Sequence, residues 1–345
     1  MTKWLSGYYE DNIIFAAEII KKGGLVAFPT ETVYGLGANA LDKIAVARVF
    51  EVKGRPDFDP LIVHIASKED IYLYAEGVEK EVEKLIDHFW PGPLTIVLPK
   101  KDSIPSIVTA GLSTVAIRMP KNPIALKLIK YSGVPIAAPS ANPFGYISPT
   151  SAFQVADTLY GKIDCILDGG KCEFGLESTV LAFDNGEFYL LRPGALDLET
   201  IEKVICKPIR LYDSDKILSP GQSPRHYSPK KNTILIYPHL DHEQIDFTET
   251  IKKIYNYLTA NQIDSKDLFL ILPCKNFDIN EKSFGMVDYL SDEFDLKTMA
   301  SNLFEKLYLA DKSSQNTIMI IGVPMKHLGL SIMNRLEKAS NIVIR

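Results

Sequence analysis

Between Gly24 and Asn142 the chain repeatedly ends an apolar run on a residue that can hold an anion or a hydroxyl. The runs are VAFPTET at 26–32, KGRPDFDPLIVHI at 53–65, VAIRMP at 115–120 and PIAAPSAN at 135–142, with GLEST at 175–179 and LRPGA at 191–195 obeying the same rule. Segment ends are where an α/β sheet presents side chains and loop amides to a ligand. The set holds strong cations and hydroxyls, but no HExxH, GxSxG or GxxxxGK[ST] accompanies them. Chemistry there would rest on positioning and charge neutralisation, the logic of nucleotidyl and phosphoryl transfer. Such reactions bring Mg²⁺ held largely by the phosphates, with few protein ligands.

Taken singly, the residues carry different weight. Lys53 and Arg55, one residue apart before a proline-bounded loop, suit neighbouring phosphates, a point charge beside a forked guanidinium. The bland alternative is a solvated helix end, where cations also favour the C-terminal dipole. His64 interrupts LIVHI on the strand face of Ile62; a histidine at a core edge, satisfied by a backbone carbonyl, is the default reading there. Arg118 closes VAIR, and an arginine finishing a buried strand needs an anionic partner or water, which makes it a candidate carboxylate clamp. Ser140 and Asn142 can bind phosphate oxygens or metal-bound water and are also ordinary turn residues. Ser148 could be part of the N-terminal cap of a helix from Ala152. Thr30, Thr32, Ser178, Thr179 and Arg192 sit at strand-to-loop turns, where such groups cap or bind.

The elements that must position these residues alternate along the chain. Helical spacing marks 11–22, 42–52, 68–75, 79–89, 123–131, 152–159 and 198–205. Strands are expected at 25–28, 61–65, 94–98, 115–118, 135–138, 165–167, 179–183 and 188–191. Strands outnumber helices toward the end of this part, so the expected fold is α/β with a twisted mixed sheet and flanking helices. From 206 to 231 the pattern breaks, and SPGQSPRHYSP at 219–229 carries three prolines and a glycine, which forbid regular structure. A bare tether does not need Arg225, His226 and Tyr227 in a row. Beyond it, strands at 233–237, 268–272 and 317–321 alternate with helices at 249–258, 296–310 and 331–339, a smaller Rossmann-like three-layer domain without GxGxxG. The expected division is 1–205, a linker or lid at 206–231, and 232–345.

Length and composition agree with two globular domains: 345 residues, 46% hydrophobic and 23% charged. A net charge of −5 argues against a protein that coats nucleic acid, so any basic cleft must be local. Cys165, Cys172, Cys206 and Cys274 show no metal spacing and are expected to be reduced. No stretch reaches about 18 apolar residues and the start lacks an apolar leader, so a soluble cytoplasmic protein is expected, with no membrane partner.

KGRP with PLIVHI, then WPGPLT, VAIRMP, PIAAPSAN, GLESTV and LRPGA, in this order, resemble the threonylcarbamoyl-AMP synthases with their YrdC-like domain. SPGQSPRHYSP and GVPMKHLGLSIMNRLEKAS resemble the two-domain form of that family, so the likeness covers nearly the whole chain. The resemblance implies synthesis of L-threonylcarbamoyladenylate from L-threonine, bicarbonate or CO₂, and ATP, with release of pyrophosphate. The product serves the t6A modification at position 37 of tRNA and passes to a tRNA threonylcarbamoyl transferase complex, with tRNA not required for the reaction itself. It implies Lys53 and Arg55 as the catalytic cations on the triphosphate, with Ser140 and Asn142 holding phosphates and Mg²⁺. Ser148 and Arg192 contact the nucleotide, with Thr109 a lesser ATP candidate. Thr32, His64, Arg118 and Ser178 hold threonine, Arg118 on its carboxylate, with Thr179 beside them. His226 and Tyr227 fold back as a lid over ATP. The chain departs from the family at Gln222-Ser223-Pro224, where a Met-Lys-Tyr-like stretch is usual.

Two other readings use the same residues. An RNA-binding module would fit a basic cleft, against which stand the net charge and the few aromatics near the cations. A carbamoyl-transferring hydrogenase-maturation enzyme carries a similar domain, but needs zinc-finger cysteines and an acylphosphatase region that this chain lacks.

Overall fold

The computed structural model describes residues 1–212 and 226–345. They fall into two compact units, Met1–Phe144 with Ser148–Ser223, and Gly145–Ile147 with Pro224–Arg345.

The first unit is built on one sheet. Its strands are β1 (Lys3–Ser6), β2 (Val26–Phe28), β3 (Gly35–Asn39), β4 (Ile62–His64), β5 (Leu94–Pro99), β6 (Thr114–Arg118), β7 (Ile136–Ala137), β8 (Cys165–Asp168), β9 (Thr179–Asp184), β10 (Glu187–Arg192) and β11 (Arg210–Leu211). They lie in the order β1-β8-β2-β3-β7-β4-β6-β5-β9-β10-β11 with parallel and antiparallel pairs mixed, as expected. The helices also fall close to the expected places, at Glu10–Lys21, Lys43–Lys53, Lys80–Phe89, Pro123–Ser132, Ala152–Leu159 and Leu198–Ile205. β1, β3 and β11 carry no clear strand signal, being short or, for GLGAN, rich in glycine.

Apolar side chains cover the sheet through separate clusters. Leu36, Val46, Val63, Leu85, Ile96 and Ile117 belong to the largest, while Ile13, Ile20, Phe28, Ile124 and Leu128 form another. A third row, Ile62, Val97, Ala116, Val180 and Ala182, runs across β4, β6, β5 and β9. Side chains two residues apart on a strand share a face. The face that carries Ile62 and Ala116 therefore also carries His64 and Arg118.

The second unit has a five-stranded, all-parallel sheet where the sequence reading expected three strands. Its strands are β12 (Asn232–Ile236), β15 (Leu268–Leu272), β16 (Met286–Tyr289), β17 (Thr317–Ile321) and β18 (Ile342–Ile344), ordered β16-β15-β17-β12-β18, beside a small hairpin of β13 (Leu240–Asp241) and β14 (Gln244–Ile245). The strands LFLIL and, after Thr317, IMII are apolar and buried throughout, the mark of strands covered on both faces. The two extra strands are the partly exposed edges, whose mixed composition hides them. Helices Phe247–Ala260, Leu296–Lys312 and Leu328–Ala339 accompany the sheet.

Candidate active site

Lys53 is the last residue of a helix whose ends are both specified locally. Asp42 caps the start by accepting the amides of Ile44 and Ala45 at 2.9 and 3.2 Å. Gly54 ends it with φ at +61°, a left-handed conformation that glycine adopts without a Cβ penalty. The turn sends Lys53 inward, 4% exposed, where its ammonium donates to the carbonyl of Ser140 at 2.5 Å and to that of Asn142. Burial, reinforced by the Arg55 charge and partly offset by Asp59, holds the Lys53 pKa well below the ordinary lysine value. Arg55 is held in its own proline-bounded loop. Its Nε donates to Asp59 O at 2.9 Å, its Nη2 to Pro60 O at 2.8 Å, and Nη2 pairs with the buried Asp59 carboxylate at 2.9 Å.

His64 and Arg118 are register partners at the C-terminal ends of the parallel strands β4 and β6. Arg118 Nη2 meets the carboxylate of Glu31 at 2.6 Å, both side chains buried, and its Nε donates to Gly92 O at 3.3 Å. The second Glu31 oxygen accepts the amide of Lys121 at 3.0 Å. Burial, with the Arg118 charge beside it, pushes the His64 pKa down to about 3, so the ring is neutral in physiological solution. The backbone carbonyls of Ile136 and Ile62 bear on the ring and partly offset that fall, as the core-edge reading expected, while its buried Nδ1 makes no well-aligned hydrogen bond among the described residues. Thr32 lies next to Glu31 in the loop after β2, fully buried, its hydroxyl 2.8 Å from that of Thr30.

A second group surrounds the start of β9. Ser178 Oγ lies 2.7 Å from the hydroxyl of Thr95 on β5, and Arg192 Nη2 reaches Ser178 O at 2.9 Å and Oγ at 3.1 Å. The glycine of LRPGA permits this approach, because a Cβ on Gly194 would fall 2.3 Å from the Ser178 carbonyl carbon. Ser148 Oγ donates to Glu177 at 2.7 Å, both residues buried. It does not cap the helix Ala152–Leu159, whose N-cap is Ser151.

Lys53, Ser140 and Asn142 are thus brought together, as are His64 with Arg118, and Ser178 with Arg192. The Thr179 hydroxyl donates to Leu196 O at 2.6 Å, and that of Thr109 to Leu112 O at 2.9 Å, each closing its own turn. His226 and Tyr227 lie in the second unit. The Tyr227 ring stacks on Phe304 at 5.3 Å, with the Arg335 guanidinium 5.5 Å from its centroid. Arg225 and the Gln222–Pro224 departure lie outside the described residues. Sequence reasoning missed the carboxylates Glu31, Asp59 and Glu177, and Thr95. Of these only Asp59, four residues from Arg55, had a local signal.

A family model described as "Telomere recombination" matches residues 18–194, and one for the threonylcarbamoyl-AMP synthase C-terminal domain matches 196–341. The chain is 47% identical to a threonylcarbamoyl-AMP synthase of Pyrococcus abyssi, over 96% of this chain and 94% of the relative. It is 39% identical to a Bacillus subtilis protein of that name, over 96% and 93%. A crystal structure of P. abyssi Sua5 complexed with L-threonine superposes with a TM-score of 0.89 at 44% identity, covering all of both chains. Escherichia coli YciO shares the fold of the first unit, with a TM-score of 0.51 at 24% identity over 56% of this chain and 96% of the other.

Proposed function

Because the chain belongs to the threonylcarbamoyl-AMP synthase family, we propose that its first unit makes L-threonylcarbamoyladenylate from L-threonine, bicarbonate and ATP, releasing pyrophosphate. One observation carries the reading at the level of residues. Buried His64, Arg118 and Glu31 form one polar cluster and buried Lys53 with Ser140 and Asn142 another, within a single unit. The first suits an amino acid and the second a polyphosphate. The Pyrococcus relative was crystallised with L-threonine, which supports the first assignment.

On this reading Arg118, aimed by Glu31, binds the threonine carboxylate. Neutral His64 and the hydroxyls of Thr32 and Ser178 take up its ammonium and side-chain hydroxyl, the open His64 Nδ1 serving as an acceptor. Bicarbonate gives CO₂ and hydroxide, the hydroxide takes a proton from the ammonium to form water, and the free amine attacks CO₂, forming the N–C bond of a carbamate and releasing its second proton to solvent. A carbamate oxygen then attacks the α-phosphorus, and the bond to the bridging oxygen breaks as pyrophosphate leaves. Lys53 and Arg55 neutralise the charge that develops on that leaving group. Arg192 and Ser148 contact the nucleotide, and His226 with Tyr227 exclude water, since carbamates and mixed anhydrides hydrolyse readily.

Ser140 and Asn142 offer the hard oxygen donors that Mg²⁺ takes, beside the Lys53 ammonium that holds their carbonyls. The Ser140 hydroxyl and the Asn142 amide oxygen would be its protein donors, and when bound the ion supplies neutralisation of phosphate charge. No helix among the described residues is long and apolar enough to cross a membrane. Four free cysteines fit a cytoplasmic setting, with the product handed to a tRNA threonylcarbamoyl transferase complex. The test is pyrophosphate release from purified protein without RNA. It should require ATP, threonine and bicarbonate together; release that needs tRNA, or ignores threonine, contradicts the reading.

A further inference from the structure

Thr95 on β5 stands beside Arg118 on β6, and both lie in the first unit. The two strands are antiparallel with Ile96 opposite Ile117, so the next pair along the ladder is Thr95 with Arg118. Ile96 and Ile117 belong to the largest apolar cluster, while Val97 and Ala116 belong to the row on the opposite face. Thr95 and Arg118, each two residues further along its strand, share the face of Val97 and Ala116. With His64, the partner of Arg118 on β4, they make a polar row one step beyond the apolar one. Ser178, also in the first unit, meets the end of this row through its 2.7 Å contact with the Thr95 hydroxyl, and both residues are 0% exposed.

This hydroxyl pair holds one proton more than it can place. A guanidinium only donates, so the 3.1 Å contact from Arg192 Nη2 occupies one of the two lone pairs on Ser178 Oγ. Thr95 and Ser178 carry two hydroxyl protons and share a single hydrogen bond. Among the described residues neither hydroxyl has another acceptor. A buried O–H left over in this way is costly until an acceptor arrives. We propose that Thr95 is a positioning residue that turns Ser178 into a donor and thereby selects an amino acid with a side-chain hydroxyl. By donating to the second lone pair of Ser178 Oγ, Thr95 leaves that oxygen with only its own proton to place. A substrate ammonium is itself a donor and cannot accept it. The substrate carboxylate belongs to Arg118, so the acceptor that remains is the hydroxyl oxygen. The inference rests on the functional reading above, in which Ser178 meets threonine.

The experiment is steady-state pyrophosphate release by the full chain with ATP, bicarbonate and either L-threonine or L-2-aminobutyrate, which is threonine without its hydroxyl. Wild type, Thr95→Val and Thr95→Ser are compared, with Tm measured for each. Wild type should favour threonine by at least about tenfold in kcat/KM, because the analogue leaves the proton unpaired. Thr95→Val keeps the shape but cannot donate. It should raise the KM for threonine roughly three- to tenfold, the scale of one hydrogen bond, and shrink the preference by the same factor. The KM for ATP should stay within about twofold, and Thr95→Ser should restore both the KM for threonine and the preference. An unmoved preference in Thr95→Val overturns the proposal. So does an equal loss with both amino acids that tracks a fall in Tm, the signature of a merely structural contact. If Thr95→Val fails to fold, Thr95→Ala, which also lacks the donor, carries the same comparison. Equal use of the two amino acids by wild type overturns the proposal without any variant. If wild type shows no ATP- and threonine-dependent turnover, the functional reading fails and takes this inference with it. If wild type turns over and prefers threonine but Thr95→Val leaves that preference unmoved, this inference fails alone.

Discussion

Arg118 and Glu31 face each other at 2.6 Å with their side chains 4% and 2% exposed. The cation assigned to the threonine carboxylate is therefore pre-oriented by a carboxylate of the protein itself. Removing one partner of a buried pair leaves the other uncompensated, at a cost of about 3–5 kcal/mol. Glu31→Ala should accordingly lower Tm sharply in thermal unfolding. Arg118→Lys keeps the charge but loses the fork geometry. It should raise the KM for threonine more than that for ATP, as steady-state kinetics would show.

His64 makes stability depend on pH. Its pKa falls from an ordinary 6.5 to about 3 in the folded chain. Between those values the unfolded chain binds a proton that the folded chain does not, so stability drops as pH falls below 6.5, by up to about 1.4 kcal/mol per pH unit. His64→Gln should flatten the acid limb of a Tm-against-pH curve. An unchanged limb would place the acid sensitivity elsewhere.

Lys53 is expected to set the alkaline limit of nucleotide use. Only the ammonium form neutralises phosphate, and its pKa lies well below the ordinary 10.5. The kcat/KM for ATP should therefore decline with rising pH before that value is reached. Lys53→Arg should lose the decline, since guanidinium stays charged above pH ~12. It should also be slower throughout, because the larger head must fit between the Ser140 and Asn142 carbonyls. Lys53→Ala should lower turnover by roughly a hundredfold or more.

Ser178 and Thr179 are neighbours with different partners. Thr179 closes a turn to Leu196, so Thr179→Val should cost about 1 kcal/mol, a Tm fall of roughly 2–4 °C. Ser178 contacts Thr95 and Arg192, so Ser178→Ala should move the substrate KM values more than Thr179→Val does.

Most elements of the first unit, and the cations themselves, were legible because apolar period and its interruptions are local signals. Lys53, His64, Arg118 and Arg192 all stand at segment ends where the pattern breaks. Their carboxylate partners were not legible. Glu31 sits between two threonines in a turn and meets Arg118 from another strand, while Glu177 is embedded in GLEST and serves Ser148. No spacing rule relates residues that only tertiary folding brings together. β3 was hidden because GLGAN packs its glycines against Phe28 and Ile136, where a side chain would collide. The edge strands β16 and β18 were hidden because exposure dilutes their apolar signal. Thr95 and Ser178 fall in the same class as Glu31: a buried hydrogen bond whose partners are 83 residues apart.

The central claim is best tested by mass spectrometry of a quenched reaction containing ATP, Mg²⁺, threonine and ¹³C-bicarbonate, without RNA. The account predicts an adduct holding threonine, AMP and one labelled carbon, formed by wild type and lost in Lys53→Ala. Threonyl-AMP without the label, or AMP and pyrophosphate formed without threonine, would contradict it.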